Sequence, residues 1–219
     1  MNHVKKIHNL SIGIPQKMIY ENGKEMNTGI CKESVNDAFL TKDGFQGDGV
    51  ANLLFHGGSD RAVCIYPYEH YKLWESEFKT TLPASTFGEN LTVMNMLEKD
   101  VHIGDIFQVG EAVIQVTQSR IPCSTITKRT KLPLLLKRMV ETGYTGYLCR
   151  VLEEGLVRKD SQITLLKQHR EGLSVLVAND IYFQRLKDKE SIQKLLNIQE
   201  LATSWRESLI KRLEKMDAK

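Results

Sequence analysis

Two adjacent glycines, an aspartate and an arginine directly precede a β-branched run in the segment HGGSDRAV, which starts at His56. The backbone N–H groups of Gly57 and Gly58 can form a concave anion site, and Arg61 adds a bidentate donor. His56 and Asp60 carry side chains that can move protons. The segment therefore indicates a phosphate or other anion site. The alternative is a strand-entry turn with a surface arginine and capping side chains.

A second candidate for chemistry is Cys123 in the segment SRIPCSTIT. Pro122 forces the preceding Ile121 into extended backbone, which places the cysteine in a rigid turn just after a β-branched run. Arg120 is close in sequence and favours the thiolate form. Cys123 is therefore a candidate nucleophile or metal ligand, and the alternative is an inert small apolar residue.

The four cysteines lack the spacing of a zinc ribbon, a thioredoxin-like site or an iron–sulfur cluster. Cys31, Cys64, Cys123 and Cys149 are separated by 33, 59 and 26 residues, with no CxxC pair. We therefore expect free thiols in a reducing compartment. Cys64 and Cys149 lie inside apolar runs and are expected to serve only packing.

Short runs rich in β-branched and aromatic residues, bounded by Gly, Asp or Asn, must position these loops. Closely spaced strands with intervening loops predict a β-barrel. The pair Gly110-Glu111 between two of the runs is typical of a two-residue hairpin turn. The predicted strands are AVCIY (62–66), NLTVM (90–94), DIFQV (105–109), AVIQVTQ (112–118), YLCRVL (147–152) and QITLL (162–166).

Helical patterns interrupt the strands and then follow them. PYEHYKLWESEF starts at Pro67, a favourable first helical residue, and LPLLLKRMVETG ends at Gly143, where a left-handed cap is expected. Apolar residues at helical spacing over residues 175–213 predict three short amphipathic helices, which must pack on one another or on the barrel. The sequence therefore predicts a mainly β fold with interspersed helices and a C-terminal three-helix extension.

Composition limits the class of protein. The chain has 219 residues, 41% hydrophobic and 26% charged, which is typical of one globular domain with an appended subdomain. The net charge is +3, and residues 167–219, with 11 Lys and Arg against 8 Asp and Glu, carry all of it. So small an excess argues against nucleic-acid binding. No apolar run resembles a membrane span or a signal peptide, so we expect a cytoplasmic protein.

Taken together and in this order, these segments resemble the MOSC domain, specifically its YiiM-like branch. The final ELATSWRESLIKRL is similar to the helical extension of that branch, and the resemblance runs from residue 4 to residue 213. It implies a MOSC β-barrel domain over residues 1–167 and a small helical extension over residues 168–219. The motifs are TGI (28–30), HGGSDRAV (56–63), YPYEHYKLW (66–74), FGENLTV (87–93), IGDIFQVG (103–110), IPCS (121–124) and TGYLCRVLEEG (145–155).

The resemblance implies binding of the molybdenum cofactor, with Cys123 of the IPC motif as the protein ligand to molybdenum. A soft thiolate suits a metal that the dithiolene sulfurs of the cofactor already hold. Thr28 and Asn90 are candidates to hydrogen-bond the pterin edges, with backbone capping as the alternative for Asn90. The candidate donors to the cofactor phosphate are Lys32, Gly57, Gly58, Arg61, Arg120 and Arg150.

The same resemblance implies an oxidoreductase that reduces N-hydroxylated compounds, for example hydroxylaminopurines, to amines. The reaction consumes two electrons and two protons and releases water, and His56 and Asp60 are the candidate proton donors. The sequence lacks a four-cysteine ferredoxin cluster and a flavin fingerprint. We therefore expect a small-molecule N-hydroxylated substrate and a separate electron-donor reductase as partners, with no nucleic acid and no membrane.

Two other functions stay open. Cys123 could hold the cofactor or a persulfide for delivery, which would make the protein a non-catalytic molybdenum cofactor or sulfur carrier. A metal-free cysteine hydrolase would use Cys123 with a histidine, although no Cys/His motif supports it. For the helical extension we expect structural packing, a homodimer contact or a cover over the pocket, without chemistry.

Overall fold

The computed structural model of the protein describes residues 4–52, 57–170 and 172–218. Strands with three interspersed helices come first, and three further helices follow. The strands are β1 (Lys6–Ile12), β2 (Gln16–Ile19), β3 (Glu25–Thr28), β4 (Glu33–Ser34), β5 (Asp37–Thr41), β6 (Gly44–Phe45), β7 (Val63–Pro67), β8 (Leu91–Met94), β9 (Ile106–Val109), β10 (Ala112–Ser119), β11 (Tyr147–Glu153), β12 (Gly155–Arg158) and β13 (Ile163–Lys167). The helices are α1 (Glu69–Phe78), α2 (Ser124–Thr130), α3 (Leu135–Thr142), α4 (Val175–Phe183), α5 (Lys189–Leu196) and α6 (Thr203–Asp217).

The main sheet has eight strands in the order β13-β9-β10-β11-β7-β8-β1-β4 and curls into a half-barrel. Its neighbouring strands are antiparallel except β7 and β8, which run parallel. A three-stranded sheet, β12-β5-β6, and the hairpin β2-β3 complete the sheets of the described residues. The prediction of a mainly β, barrel-type fold with interspersed helices and a helical C-terminal extension is confirmed.

Strand β10 is an interior strand of the main sheet, between β9 and β11, and all eight of its residues are buried. It pairs with β9 through the predicted hairpin turn, where Gly110 adopts a φ of 62° that favours glycine. Its other edge pairs with β11. Because β10 ends at Ser119, the residues that follow it emerge together at one end of the sheet.

The ends of two helices test the predicted boundaries. Helix α3 stops directly before Gly143, which caps it with a φ of 73°, as predicted. Pro67 was predicted to start α1, but it is the last residue of β7. The reason is that β7 stays paired with β8 as far as Pro67, and the N–H of Tyr68 donates to the carbonyl of Val93 at 2.7 Å. Helix α1 therefore begins only at Glu69.

One apolar core joins the half-barrel to the C-terminal helices. It contains Leu10 and Val116 from the barrel together with Ile192, Leu195 and Trp205 from the extension. The three predicted C-terminal helices therefore bury their apolar stripes against the barrel and against one another. Within the described ranges, no helix combines the length and the apolar character that crossing a membrane requires.

Candidate functional site

A cavity of about 1100 Å³ opens where the glycine loops, the end of β10 and the C-terminal helices meet. We call it the central cavity. Most of the residues that the sequence put forward for cofactor binding lie on its wall, although their segments are far apart in the chain. These residues are Thr28, Lys32, Gly57, Gly58, Arg61, Asn90, Arg120 and Cys123.

Cys123 lies between the end of β10 and the start of α2. Its backbone is extended, with φ −112° and ψ 159°, and its carbonyl accepts a hydrogen bond from the N–H of Ile126 at 3.0 Å. Pro122 is buried beside it, whereas Cys123 itself is half-buried. The described part of the chain contains no group of three or more His, Cys, Asp or Glu side chains that could bind a metal ion. The rigid proline and the helix hold Cys123 in the wall of the central cavity.

Arg120 lies beside two cysteines on the same wall. Its guanidinium interacts electrostatically with Cys64, Cys123 and Glu89. Burial lowers the pKa of Arg120, but these neighbours outweigh burial, so its pKa lies above the ordinary arginine value. The Nη1 atom is buried and has no hydrogen-bond partner among the described residues. The cavity wall therefore carries a permanent cation with an unused donor.

The position of Cys64 corrects the expectation that it serves only packing. It is half-buried in β7 and lines the central cavity, whereas Cys149 is fully buried, as expected. Burial raises the pKa of the Cys64 thiol above the ordinary cysteine value of 9.0, and Arg120 acts in the opposite direction. Cys64 is therefore a neutral thiol at pH 7.

Lys32 reaches the cavity wall, but its ammonium group is already paired. Its Nζ contacts Oδ1 of Asp48, and only 4% of the Lys32 side chain is exposed. Asp48 also accepts from the N–H of Gly13 at 2.9 Å and from Nδ2 of Asn90 at 2.8 Å. Oδ1 of Asn90 accepts from the N–H of Cys64 at 3.0 Å. Lys32 and Asn90 therefore fix the cavity wall through Asp48, which the sequence analysis missed although glycines flank it.

The TGI loop packs so tightly that it requires glycine. A Cβ atom at Gly29 would lie 2.3 Å from the carbonyl oxygen of Gly49. Arg129 of α2 donates from Nη1 to the carbonyl of Ile30 and, at 2.8 Å, to that of Ser85. Arg129 was not predicted as a site residue, because only the fold brings α2 against this loop. Helix α2 thus clamps the loop that contributes Thr28 to the cavity.

Two predicted site residues, Asp60 and Arg150, do not line the central cavity. Arg150 forms an ion pair with Asp60, with Nη2 and Oδ1 2.7 Å apart. Asp60 also accepts from the N–H of Thr203 at 2.9 Å, and Arg150 donates to the carbonyl of Glu200 at 3.0 Å. Both residues therefore pin the segment before α6 to the barrel, and we leave them out of the proposed site. His56 lies outside the described residues.

The C-terminal extension forms one wall of the central cavity through Tyr182, Ser204 and Trp205. The rings of Tyr182 and Trp205 stack with centroids 4.2 Å apart. Ser204 donates to Oε1 of Gln118 at 3.1 Å and ties α6 to the end of β10, across 86 residues of sequence. A cover over the pocket was among the expected roles of the extension, but none of these residues was predicted to line the cavity, because no local pattern predicts so distant a contact.

The family model of the MOSC domain matches residues 52–164, and the model described as YiiM-like, 3-alpha helix domain matches residues 173–215. YflK of Bacillus subtilis (strain 168) is 41% identical over 208 residues, which cover 94% of each chain. A protein of Gibberella moniliformis (strain M3125 / FGSC 7600) named Reductase is 36% identical over 159 residues, 70% of this chain and 28% of the fungal protein. The crystal structure of YiiM from Geobacillus stearothermophilus aligns with a TM-score of 0.81 and 31% identity, covering 95% of this chain and 99% of that one. The chain therefore belongs to the MOSC domain family, in its YiiM-like branch.

Proposed function

We propose that the protein is an oxidoreductase that binds the molybdenum cofactor in the central cavity and reduces N-hydroxylated compounds, such as hydroxylaminopurines, to amines. MOSC domains are generally associated with this cofactor, and one relative bears the name Reductase. The observation that carries the proposal is the placement of Cys123 beside Arg120, whose Nη1 atom is buried, on the wall of one large cavity.

The residues present on the cavity wall fit such a cofactor. The buried Nη1 of Arg120 has no protein partner among the described residues, so an anionic ligand would satisfy it. Arg61 and the backbone of Gly57 and Gly58 line the same cavity and offer further donors to a phosphate. We assign these four residues to the cofactor anion and keep Thr28 as a candidate contact to the pterin.

Cys123 has the chemistry for the single protein ligand to molybdenum. A thiolate is a soft donor, and Cys123 lies within the electrostatic reach of the Arg120 cation. When bound, the cofactor supplies the remaining sulfur donors and the two-electron redox chemistry. Cys64 lines the same cavity, but its raised pKa keeps it protonated at neutral pH and makes it the poorer ligand.

The proposal is tested by comparing cysteine variants made in a host that synthesises the cofactor. The wild-type protein should contain molybdenum and pterin, and should reduce 6-N-hydroxylaminopurine with reduced methyl viologen as electron donor. Cys123→Ala should lose turnover per bound molybdenum, whereas Cys64→Ala should retain it. Full turnover in Cys123→Ala would contradict the assigned ligand. Bound molybdenum without turnover in the wild-type protein would favour the carrier function instead.

A further inference from the structure

A groove of about 670 Å³ lies on the C-terminal extension, between α6 and the start of α5. Five of the seven residues that line it are cationic, and none is acidic. We call it the basic groove. Its four lysines are exposed to solvent. The lining residues are Lys187, Lys189, Ser208, Lys211, Arg212, Lys215 and Met216.

Most of the charge in the basic groove is not neutralised by the protein. Lys189 pairs with Asp217. Lys187, Lys211 and Lys215 form no ion pair within the described residues. A concave surface with one sign of charge attracts a partner that presents the opposite sign. The groove therefore fits a macromolecule with a negatively charged surface.

Arg212 joins the basic groove to the central cavity. Its guanidinium lies over the ring of Tyr182, 5.0 Å from the centroid, and its Nη1 donates to the Tyr182 carbonyl at 3.0 Å. Tyr182 stacks on Trp205, and both rings line the central cavity. Two contacting side chains, Arg212 in the groove and Tyr182 in the cavity wall, therefore connect the groove to the cavity.

We propose that the basic groove is the docking site of an acidic electron-carrier protein. This inference rests on the proposed function, in which each turnover breaks one N–O bond and takes up two electrons and two protons. The substrate nitrogen is reduced, the oxygen leaves as water, and the carrier is oxidised. A one-electron carrier must dock twice for each turnover, and opposite charges accelerate both encounters.

The test compares two electron donors on the cofactor-loaded protein. Reduced plant-type [2Fe–2S] ferredoxin is the acidic protein donor, and reduced methyl viologen is the small donor that needs no docking surface. Lys211→Glu combined with Lys215→Glu should lower kcat/KM for ferredoxin about ten-fold or more at low ionic strength. Turnover with methyl viologen should stay unchanged, because neither lysine lines the central cavity.

A matched control variant changes the net charge by the same amount, but on the barrel instead of in the groove. Lys99→Glu combined with Lys137→Glu replaces two exposed lysines outside the groove and should leave the ferredoxin rate within about two-fold. Lys211→Gln combined with Lys215→Gln should lower kcat/KM for ferredoxin less than the charge reversal does. Raising the salt concentration from about 20 mM to about 300 mM should remove most of the difference between wild type and groove variant.

Three results would overturn the inference. The first is an equal decrease of kcat/KM for ferredoxin in the groove and control variants, and the second is an unchanged kcat/KM in the groove variant. The third is wild-type turnover with methyl viologen but not with ferredoxin. Loss of self-association, or of binding to phosphatidylserine vesicles, with an unchanged ferredoxin rate would assign the groove to another partner. Absence of wild-type turnover with methyl viologen would overturn the proposed function itself, and the inference with it.

Discussion

The basic side chains that the sequence proposed for one phosphate have different partners in the structure. Lys32 pairs with Asp48, and Arg150 pairs with Asp60. The buried donors Nη1 of Arg120 and Nε of Arg150 have no partner among the described residues, but only Arg120 lines the central cavity. Sequence reasoning predicted the residue types at the site but not this division, because each acidic partner comes from a separate loop. A cation is available to a ligand only where the fold gives it no carboxylate.

This division predicts different effects for deletions of the two cations. Arg120→Met should lower the free energy of unfolding of the cofactor-free protein less than Lys32→Met does, because Nη1 loses no hydrogen-bond partner and the guanidinium loses only its electrostatic interactions with neighbours such as Glu89. It should still lower the fraction of protein that retains cofactor, since a charge-assisted hydrogen bond contributes about 1.5–3 kcal/mol. Lys32→Met should lower the free energy of unfolding by up to about 3–5 kcal/mol, because the carboxylate of Asp48 loses its cation and keeps only the hydrogen bonds from Gly13 and Asn90.

Guanidinium denaturation of the two cofactor-free variants measures the stabilities, and metal analysis of the same variants from a cofactor-producing host measures retention. Equal destabilisation by Arg120→Met and Lys32→Met would show that Arg120 has a structural partner. Unchanged cofactor retention in Arg120→Met would move the anion to Arg61.

At the scale of elements, local patterns predicted what local interactions determine. The β9–β10 hairpin, the end of α3 at Gly143 and the three C-terminal helices all follow from turn residues, caps or apolar spacing. Strands β1 to β6 and β12 were not predicted individually, and the two-residue strands β4 and β6 exist only through pairing with β1 and β5. Helix α2 was also missed, since its sequence STITKRT is rich in β-branched residues that weaken helix propensity. Burial of Ile126 and the contacts of Arg129 stabilise it instead.

Helix α6 and the barrel should unfold together, because Trp205 belongs to the core that both share. Trp205→Ala should lower the free energy of unfolding by about 3–5 kcal/mol, since the side chain is 1% exposed. Ile210→Ala on the same helix is the control, because Ile210 is 42% exposed and should cost less than about 1 kcal/mol. In the Trp205→Ala variant, fluorescence of Trp74 reports on the barrel and far-ultraviolet circular dichroism on the helices. Two separate transitions would contradict the shared core.

At the scale of the whole molecule, the central cavity depends on both parts of the chain. The barrel provides Cys123 and Arg120, and the extension provides Tyr182 and Trp205. The Asp60–Arg150 pair fixes one part to the other next to this cavity. The extension therefore shapes the space available to a ligand.

The same packing buries several groups that ionise only at alkaline pH, and this makes the stability of the whole molecule depend on pH. Burial raises the pKa of all of them, above the ordinary values of 9.0 for cysteine and 10.0 for tyrosine. In the unfolded chain they lose protons at those ordinary values, whereas in the folded protein they stay neutral. These groups are Cys64, Tyr66, Tyr71, Tyr147 and Cys149.

The free energy of unfolding should therefore fall as the pH rises above about 9, because the folded state then binds more protons than the unfolded state. Each such group contributes a slope of up to about 1.4 kcal/mol per pH unit, and its contribution to stability is fully present below its ordinary pKa. Guanidinium denaturation at pH 7.5, 9, 9.5 and 10 measures the slope. Cys149→Ala removes one buried thiol, so it should lower stability at pH 7.5 through lost packing yet make the decline between pH 9 and 10 shallower. A decline as steep in Cys149→Ala as in the wild type would show that this thiol has the same pKa in the folded and unfolded states. A free energy of unfolding that stays constant up to pH 10 would also contradict the raised pKa values of the buried tyrosines.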